Sequence, residues 1–191
     1  MSKLTPRDMV LVAMFASLAV VAALLFRFLG GMIVPFSLMP FVALLAGGLL
    51  GARLGALSMG IYVLMGVLGM PVFEKPPFGG PAYILSPTFG FLLGFILAAL
   101  VTGLILRGRR DAGPLRLSLA MLAGVAMIYA VGLPYLYVIL NYYVGKPFDV
   151  LQIVMLFFVP FIGLDLLKAL AAGVLVRIVG MRLPVLKEQR N

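Results

Sequence analysis

Asp165 and Lys168 stand three residues apart in Gly163-Leu-Asp-Leu-Leu-Lys-Ala, a run with no other charge. On a helix this spacing puts both side chains on one face. In a membrane-embedded run each charge costs roughly 3 kcal/mol on insertion scales, so the pair must face the interior of a bundle or a polar cavity. Two roles fit. The pair is an internal ion pair that fixes packing, or it grips a polar guest: the carboxylate accepts from N–H groups and the ammonium donates to oxygens.

A second candidate is the connector Val72–Thr88, with the sequence Val-Phe-Glu-Lys-Pro-Pro-Phe-Gly-Gly-Pro-Ala-Tyr-Ile-Leu-Ser-Pro-Thr. A loop of this length in a compact chain is often a lid over a site. Tyr83 and Phe78 are placed to close over a ligand, and Ser86 and Thr88 offer hydroxyls. Ser86 suits a helix N-cap with Pro87 in the first helical position. The plainer reading is a connector that gates nothing. Asn141 could hydrogen-bond a ligand, whereas the adjacent Tyr142 and Tyr143 read first as interfacial anchors.

The chain has no Cys and no His, which removes thiol chemistry, disulfides and the commonest metal ligands. No metal or cofactor is expected. There is no phosphate-binding G-x-x-x-x-G-K-[ST] loop, because Gly145-Lys146 is followed by Pro147. Any ATP-driven step would need ATPases on other chains. The six acidic residues are scattered, which argues against a membrane enzyme.

The elements that hold these residues are membrane helices. Of the 191 residues 64% are hydrophobic and 11% charged, too few charges to cover a soluble domain. Uncharged stretches long enough to cross a bilayer recur along the chain. The expected fold is all-α, a single transmembrane domain over 1–191. Its six helices are expected near residues 8–26, 36–50, 54–69, 87–106, 115–143 and 160–179, the fifth kinked at Gly132 and Pro134. Residues 149–158 read as an interfacial or re-entrant piece.

Six crossings put both termini on one side. Lys3, Arg7, Arg53, Arg107, Arg109, Arg110, Arg116, Arg177, Arg182, Lys187 and Arg190 then share that side, against Arg27, Lys75 and Lys146 on the other. Basic residues gather on cytoplasmic loops, so both termini are expected in the cytoplasm, with the chain multi-pass in the cell membrane. The same distribution accounts for the net charge of +9 without a nucleic-acid partner.

Small residues recur four apart: Gly90, Gly94, Ala98 and Thr102; Gly47, Gly51 and Gly55; Ala19 and Ala23. Such faces allow close helix packing in lipid, inside one chain or against a partner.

The motifs resemble those of the BioY family, the biotin-specific substrate-binding (S) components of energy-coupling factor transporters. The resemblance spans the chain. It rests on Gly69-Met-Pro-Val-Phe, on Gly79-Gly-Pro-Ala-Tyr-Ile-Leu-Ser-Pro-Thr-Phe-Gly-Phe-Leu-Leu-Gly-Phe and on Phe161-Ile-Gly-Leu-Asp-Leu-Leu-Lys. The family's G-P-T-G-G-Y-L-x-G-F reads here Ser86-Pro-Thr-Phe-Gly-Phe-Leu-Leu-Gly-Phe. Its P-G-D-x-x-K keeps the Asp and Lys, with one more residue between Gly163 and Asp165. The resemblance implies a six-helix ligand-binding membrane subunit, with Asp165 and Lys168 as ligand-binding residues. It also implies docking through helix 1, at Ala19 and Ala23, on a transmembrane coupling subunit driven by two ATPases. Biotin's ureido ring suits Asp165 and Lys168, while its carboxylate has Lys75, Lys146 and the N-terminus of helix 4 as candidate partners. Related acids such as dethiobiotin or lipoate are the alternative ligands.

Overall fold

The computed structural model describes residues 4–29, 37–107 and 113–182. The expectations on Lys3, Arg109, Arg110, Lys187, Arg190 and residue 36 lie outside these segments. In chain order the helices are α1 (Pro6–Leu29), α2 (Met39–Val67), α3 (Phe89–Leu106), α4 (Pro114–Val138), α5 (Val150–Phe157) and α6 (Val159–Arg182). A 3₁₀ turn at Pro81–Leu85 precedes α3, and a π-helical turn at Ile139–Tyr143 extends α4. Among the described residues there is no strand. Among the described residues five helices are long and apolar enough to cross a membrane: all but α5.

Helix α2 is two arms. Gly51 sits at φ 82° and ψ 177°, a left-handed conformation that glycine adopts without steric cost. The chain turns back there: a Cβ on Gly55 would lie 2.8 Å from the Ala46 carbonyl carbon. In a straight helix nine residues would separate them by roughly 13 Å. The two arms, 39–50 and 52–67, are the second and third helices expected from sequence, joined by one glycine rather than a loop. The fourth helix starts at Phe89 rather than Pro87. Thr88, not Ser86, is its N-cap residue, and Ser86 instead caps the 3₁₀ turn. Pro87 falls in the bend between the two, where it withholds no helical N–H.

α2 is the centre of the bundle, with α1, α3 and α6 packed on it, and α4 lies against α3 and α6. The small residues of α3 all serve this packing. Gly90 faces Tyr135, Gly94 faces the Ile128 backbone, and Thr102 donates to the Ala120 carbonyl at 3.2 Å. α1 packs on α2 through Val12, Phe15, Ala16, Ala19, Ala22 and Ala23, which are all buried. Ala19 and Ala23 are thus enclosed within the chain, at 0% exposure, and the outward row of α1 is Val10, Met14, Leu18, Val21 and Leu25.

The charged residues divide between the two ends. Asp8 at the start of α1 is close enough to Arg53 to feel its charge, and Arg116 donates to the carbonyls of Ile105 and Arg107. At the other end Arg27 closes α1 onto the long connector. Its guanidinium donates to the Pro71 carbonyl at 3.0 Å and lies 3.6 Å over the Phe78 ring. α5 follows a capping box of Asp149 and Gln152, and Phe158 alone separates it from α6. This agrees with the short pre-helical piece read from the sequence.

Candidate binding cavity

α6 begins at Val159, with Pro160 in its first turn, where a missing N–H costs nothing. Asp165 and Lys168 follow within the next turns, near the end of the bundle that holds the connector. Both point inward, with only 6% and 8% of their surface exposed. Lys168 Nζ donates to Asp165 Oδ1 at 2.6 Å, and the Tyr129 hydroxyl of α4 donates to Oδ2 at 2.5 Å. Each carboxylate oxygen therefore has one donor and keeps lone-pair capacity for a second. The Tyr129 ring is held edge-on by Phe158 and Phe91, at centroid distances of 4.8 and 6.1 Å.

The pair is not sealed off. It lines a cavity of about 330 Å³, together with Tyr83, Thr88, Glu74 and Lys75 of the connector, Ser37, and Tyr62 of α2. Between these polar groups the wall is apolar: Phe91, Leu92 and Phe95 of α3, Ile128 and Leu136 of α4, and Phe161 and Leu164 of α6. A mainly apolar cleft with a few convergent polar groups is the usual form of a small-molecule site, at about 300–1,000 Å³.

The connector that contributes to this lining is held by a set of contacts of its own. Phe73 is fully buried, its ring tilted against Tyr83 at a centroid distance of 4.3 Å and edge-on at 5.7 Å to Tyr62. The Phe73 N–H donates to the Phe78 carbonyl at 2.8 Å, and the Gly80 N–H to the Gly66 carbonyl at 2.7 Å. The Tyr83 hydroxyl is bonded to the Thr88 hydroxyl at 3.3 Å. Tyr135 donates to the Ile84 carbonyl, tying the 3₁₀ turn to α4. Burial pushes the Glu74 carboxyl above the usual carboxylate range, against the opposing pull of its hydrogen bond with Ser37 and of Lys75 and Lys168. Burial also raises the Tyr83 hydroxyl.

A model of the BioY family matches residues 1–184. The chain belongs to the BioY family. Among its relatives, the "Probable biotin transporter BioY" of Lysinibacillus sphaericus is 39% identical over 88% of this chain and 84% of that protein. The "Biotin transporter BioY" of Thermotoga maritima is 35% identical over 96% of this chain and 99% of that one. The crystal structure of the S-component for biotin from an ECF-type ABC transporter superposes over 99% of this chain and all of that one, with a TM-score of 0.77 at 22% identity, and so shares the fold. This BioY chain is a multi-pass membrane protein.

Of the residues singled out from sequence, the fold brings Asp165, Lys168, Tyr83 and Thr88 to one BioY cavity. Ser86 stands one step behind, its hydroxyl 3.1 Å from that of Thr88. Asn141 does not line the cavity. Its side chain bonds the Tyr137 and Phe148 carbonyls and the Phe148 N–H, and so ties the π-helical turn to the segment before α5. Sequence reasoning missed Tyr129, Tyr62 and Glu74. Tyr129 and Tyr62 are tyrosines in apolar helices, indistinguishable by pattern from core aromatics. Glu74 carried a signal, as an acid beside Lys75 in a loop already singled out.

Replacing Tyr129 with Phe tests the carboxylate's support. A hydrogen bond to a charged group is worth roughly 1.5–3 kcal/mol, so ligand affinity is expected to fall about tenfold or more. The bond is present without a ligand, so thermal stability should fall by a comparable free energy, while the ring keeps its clamp between Phe91 and Phe158 and the chain still folds. Titration calorimetry measures the first effect, and an unchanged affinity would remove Tyr129 from the site.

Proposed function

We propose that the chain captures biotin in this cavity as the membrane-embedded S component of an ECF-type transporter. It is then a transport subunit and not an enzyme. The observation that carries the reading is the buried Asp165–Lys168 pair opening into a mainly apolar cavity that the connector bounds on one side. Biotin offers N–H donors and a carbonyl at one end, an apolar ring and chain, and a carboxylate at the other. Asp165 accepts from a ureido N–H and Lys168 donates to the ureido oxygen. The aromatic and aliphatic walls cover the rings and chain, and Tyr83 and Thr88 close the connector side. The names of the relatives, biotin transporters, support the same ligand.

Uptake requires partners that this chain lacks: a transmembrane coupling subunit and two ATPases. With Ala19 and Ala23 enclosed, docking on α1 falls to the outward face, where Ala13 and Ser17 keep small exposed side chains four apart. The charge sorting supports cytoplasmic termini in the cell membrane, with the cavity toward the outside.

Mass spectrometry of small molecules that co-purify with detergent-solubilised protein, followed by titration calorimetry, tests the ligand. Biotin is expected in the preparation and expected to bind at sub-micromolar concentration, more tightly than dethiobiotin or lipoate. Tighter binding of either acid, or no biotin binding at all, would overturn the reading.

A further inference from the structure

The cavity has two charged poles, and only one is explained by a ureido group. Asp165 and Lys168 form the buried pole. Glu74 and Lys75, adjacent on the connector, form the other, with Lys75 exposed at the mouth and Glu74 half-buried behind it. Phe91, Leu92, Phe95, Phe161 and Leu164 line the same cavity. Of the three partners open to a ligand carboxylate from sequence, Lys146 does not line the cavity. The N-terminus of α3 has its first free groups partly used, with the Phe89 N–H on the Ser86 carbonyl and the Phe91 N–H on the Thr88 carbonyl. Lys75 lines the cavity, and its carbonyl accepts from the Phe78 N–H at 2.8 Å.

We propose that Lys75 binds the ligand's carboxylate at the mouth of the cavity and that Glu74 competes with that carboxylate for it. The proposal rests on the capture reading and adds a second contact point to it. A guest with a hydrogen-bonding head and a carboxylate tail then lies along the cavity, head on Asp165 and Lys168, tail on Lys75. The groups facing Glu74 are Ser37 before α2, Tyr62 on α2, Lys75, Tyr83 on the 3₁₀ turn and Lys168 on α6. An arriving anion adds a like charge to this set. Protonation of Glu74 removes the repulsion, and burial already favours the protonated form. Affinity for a carboxylate ligand therefore rises as pH falls through the range in which Glu74 takes up its proton.

The experiment compares biotin with its primary amide, which keeps the head and chain and loses the charge. Full-length protein, Lys75→Met, Lys75→Arg and Glu74→Gln are titrated with both ligands between about pH 7.5 and pH 5.5, above the range in which biotin's own carboxyl titrates. Lys75→Met is expected to weaken biotin about tenfold and leave the amide unchanged, with Lys75→Arg retaining most of the biotin affinity. Glu74→Gln should bind biotin more tightly than the unmodified protein at pH 7.5 and bind the amide equally, and any gain in biotin affinity on acidification should be absent from it. Equal weakening of both ligands by Lys75→Met would make Lys75 structural and overturn the assignment. Biotin affinity at pH 7.5 no higher in Glu74→Gln than in the unmodified protein would overturn the role of Glu74. Absence of binding by both ligands to the unmodified protein would overturn the capture reading itself.

Discussion

Asp165→Asn is expected to weaken biotin binding at least tenfold and to destabilise the fold at the same time. Asp165 accepts from Lys168 at 2.6 Å and from Tyr129 at 2.5 Å, with both ionic partners almost fully buried. Asn keeps the shape, offers one acceptor oxygen instead of two, and removes the carboxylate that pairs with the Lys168 ammonium. Breaking a buried pair by removing one partner costs roughly 3–5 kcal/mol, because the remaining charge is left uncompensated. A loss of binding in the single variant could therefore report a damaged fold. The double variant Asp165→Asn with Lys168→Met separates the two effects. Removing both charges should recover most of the thermal stability, since replacing a buried pair by apolar groups is often neutral. Biotin binding should stay lost, because neither the N–H acceptor nor the carbonyl donor is restored. If the single variant binds biotin as tightly as the unmodified chain, the pair serves packing alone. If the double variant binds, the cavity recognises its guest elsewhere.

The chemistry of this pair was legible in the sequence because cost makes it conspicuous. Two charges in a run of Leu, Ile and Ala have no place facing lipid, and spacing alone puts them together. The helices were legible for the same reason, as long runs without charge. The boundaries that failed are those set by local geometry. The reversal at Gly51 uses one residue, in a stretch whose glycines at 47, 48, 51 and 55 look alike in sequence, and only the backbone shows which one takes positive φ. The start of α3 was misplaced because Ser86-Pro87 is a good helix-start signal, yet Tyr83 and Thr88 hold that segment in a 3₁₀ turn and a bend. Asn141 illustrates another limit. A polar side chain near the end of an apolar helix reads as a ligand contact or as a tie for stray backbone groups, and composition does not distinguish them. Here the π-helical turn leaves a carbonyl and the next segment an N–H and a carbonyl, and Asn141 is bonded to all three. Tyr129 was hidden because its partner lies 36 residues further along the chain.

The same single methyl group, added at two glycines, is expected to have opposite consequences. Gly47→Ala would place its Cβ 2.3 Å from the carbonyl oxygen of Ala99, in the seam between α2 and α3. The obstacle is backbone, in a helix buried on that face, so no rotamer change relieves it. Gly103 shows that the seam is tight along its length, since a Cβ there would lie 2.1 Å from the Ala52 nitrogen. Extra methylenes in a packed interior usually cost about 1–3 kcal/mol when side chains can shift, and here the helices themselves must part. The separation would also reach the site, because α2 carries Tyr62 and α3 carries Phe91, Leu92 and Phe95 to the cavity wall. Gly163→Ala makes the identical chemical change on α6, two residues before Asp165, where nothing lies within 4 Å of the added carbon. There the helix gains up to roughly 1 kcal/mol of intrinsic propensity with no clash. Thermal unfolding in one detergent should show Gly47→Ala melting well below the unmodified chain, and Gly163→Ala at or slightly above it with biotin affinity retained. Equal melting temperatures for the two variants would mean that the α2–α3 seam yields easily, and that close backbone approach at Gly47 does not hold the cavity walls together.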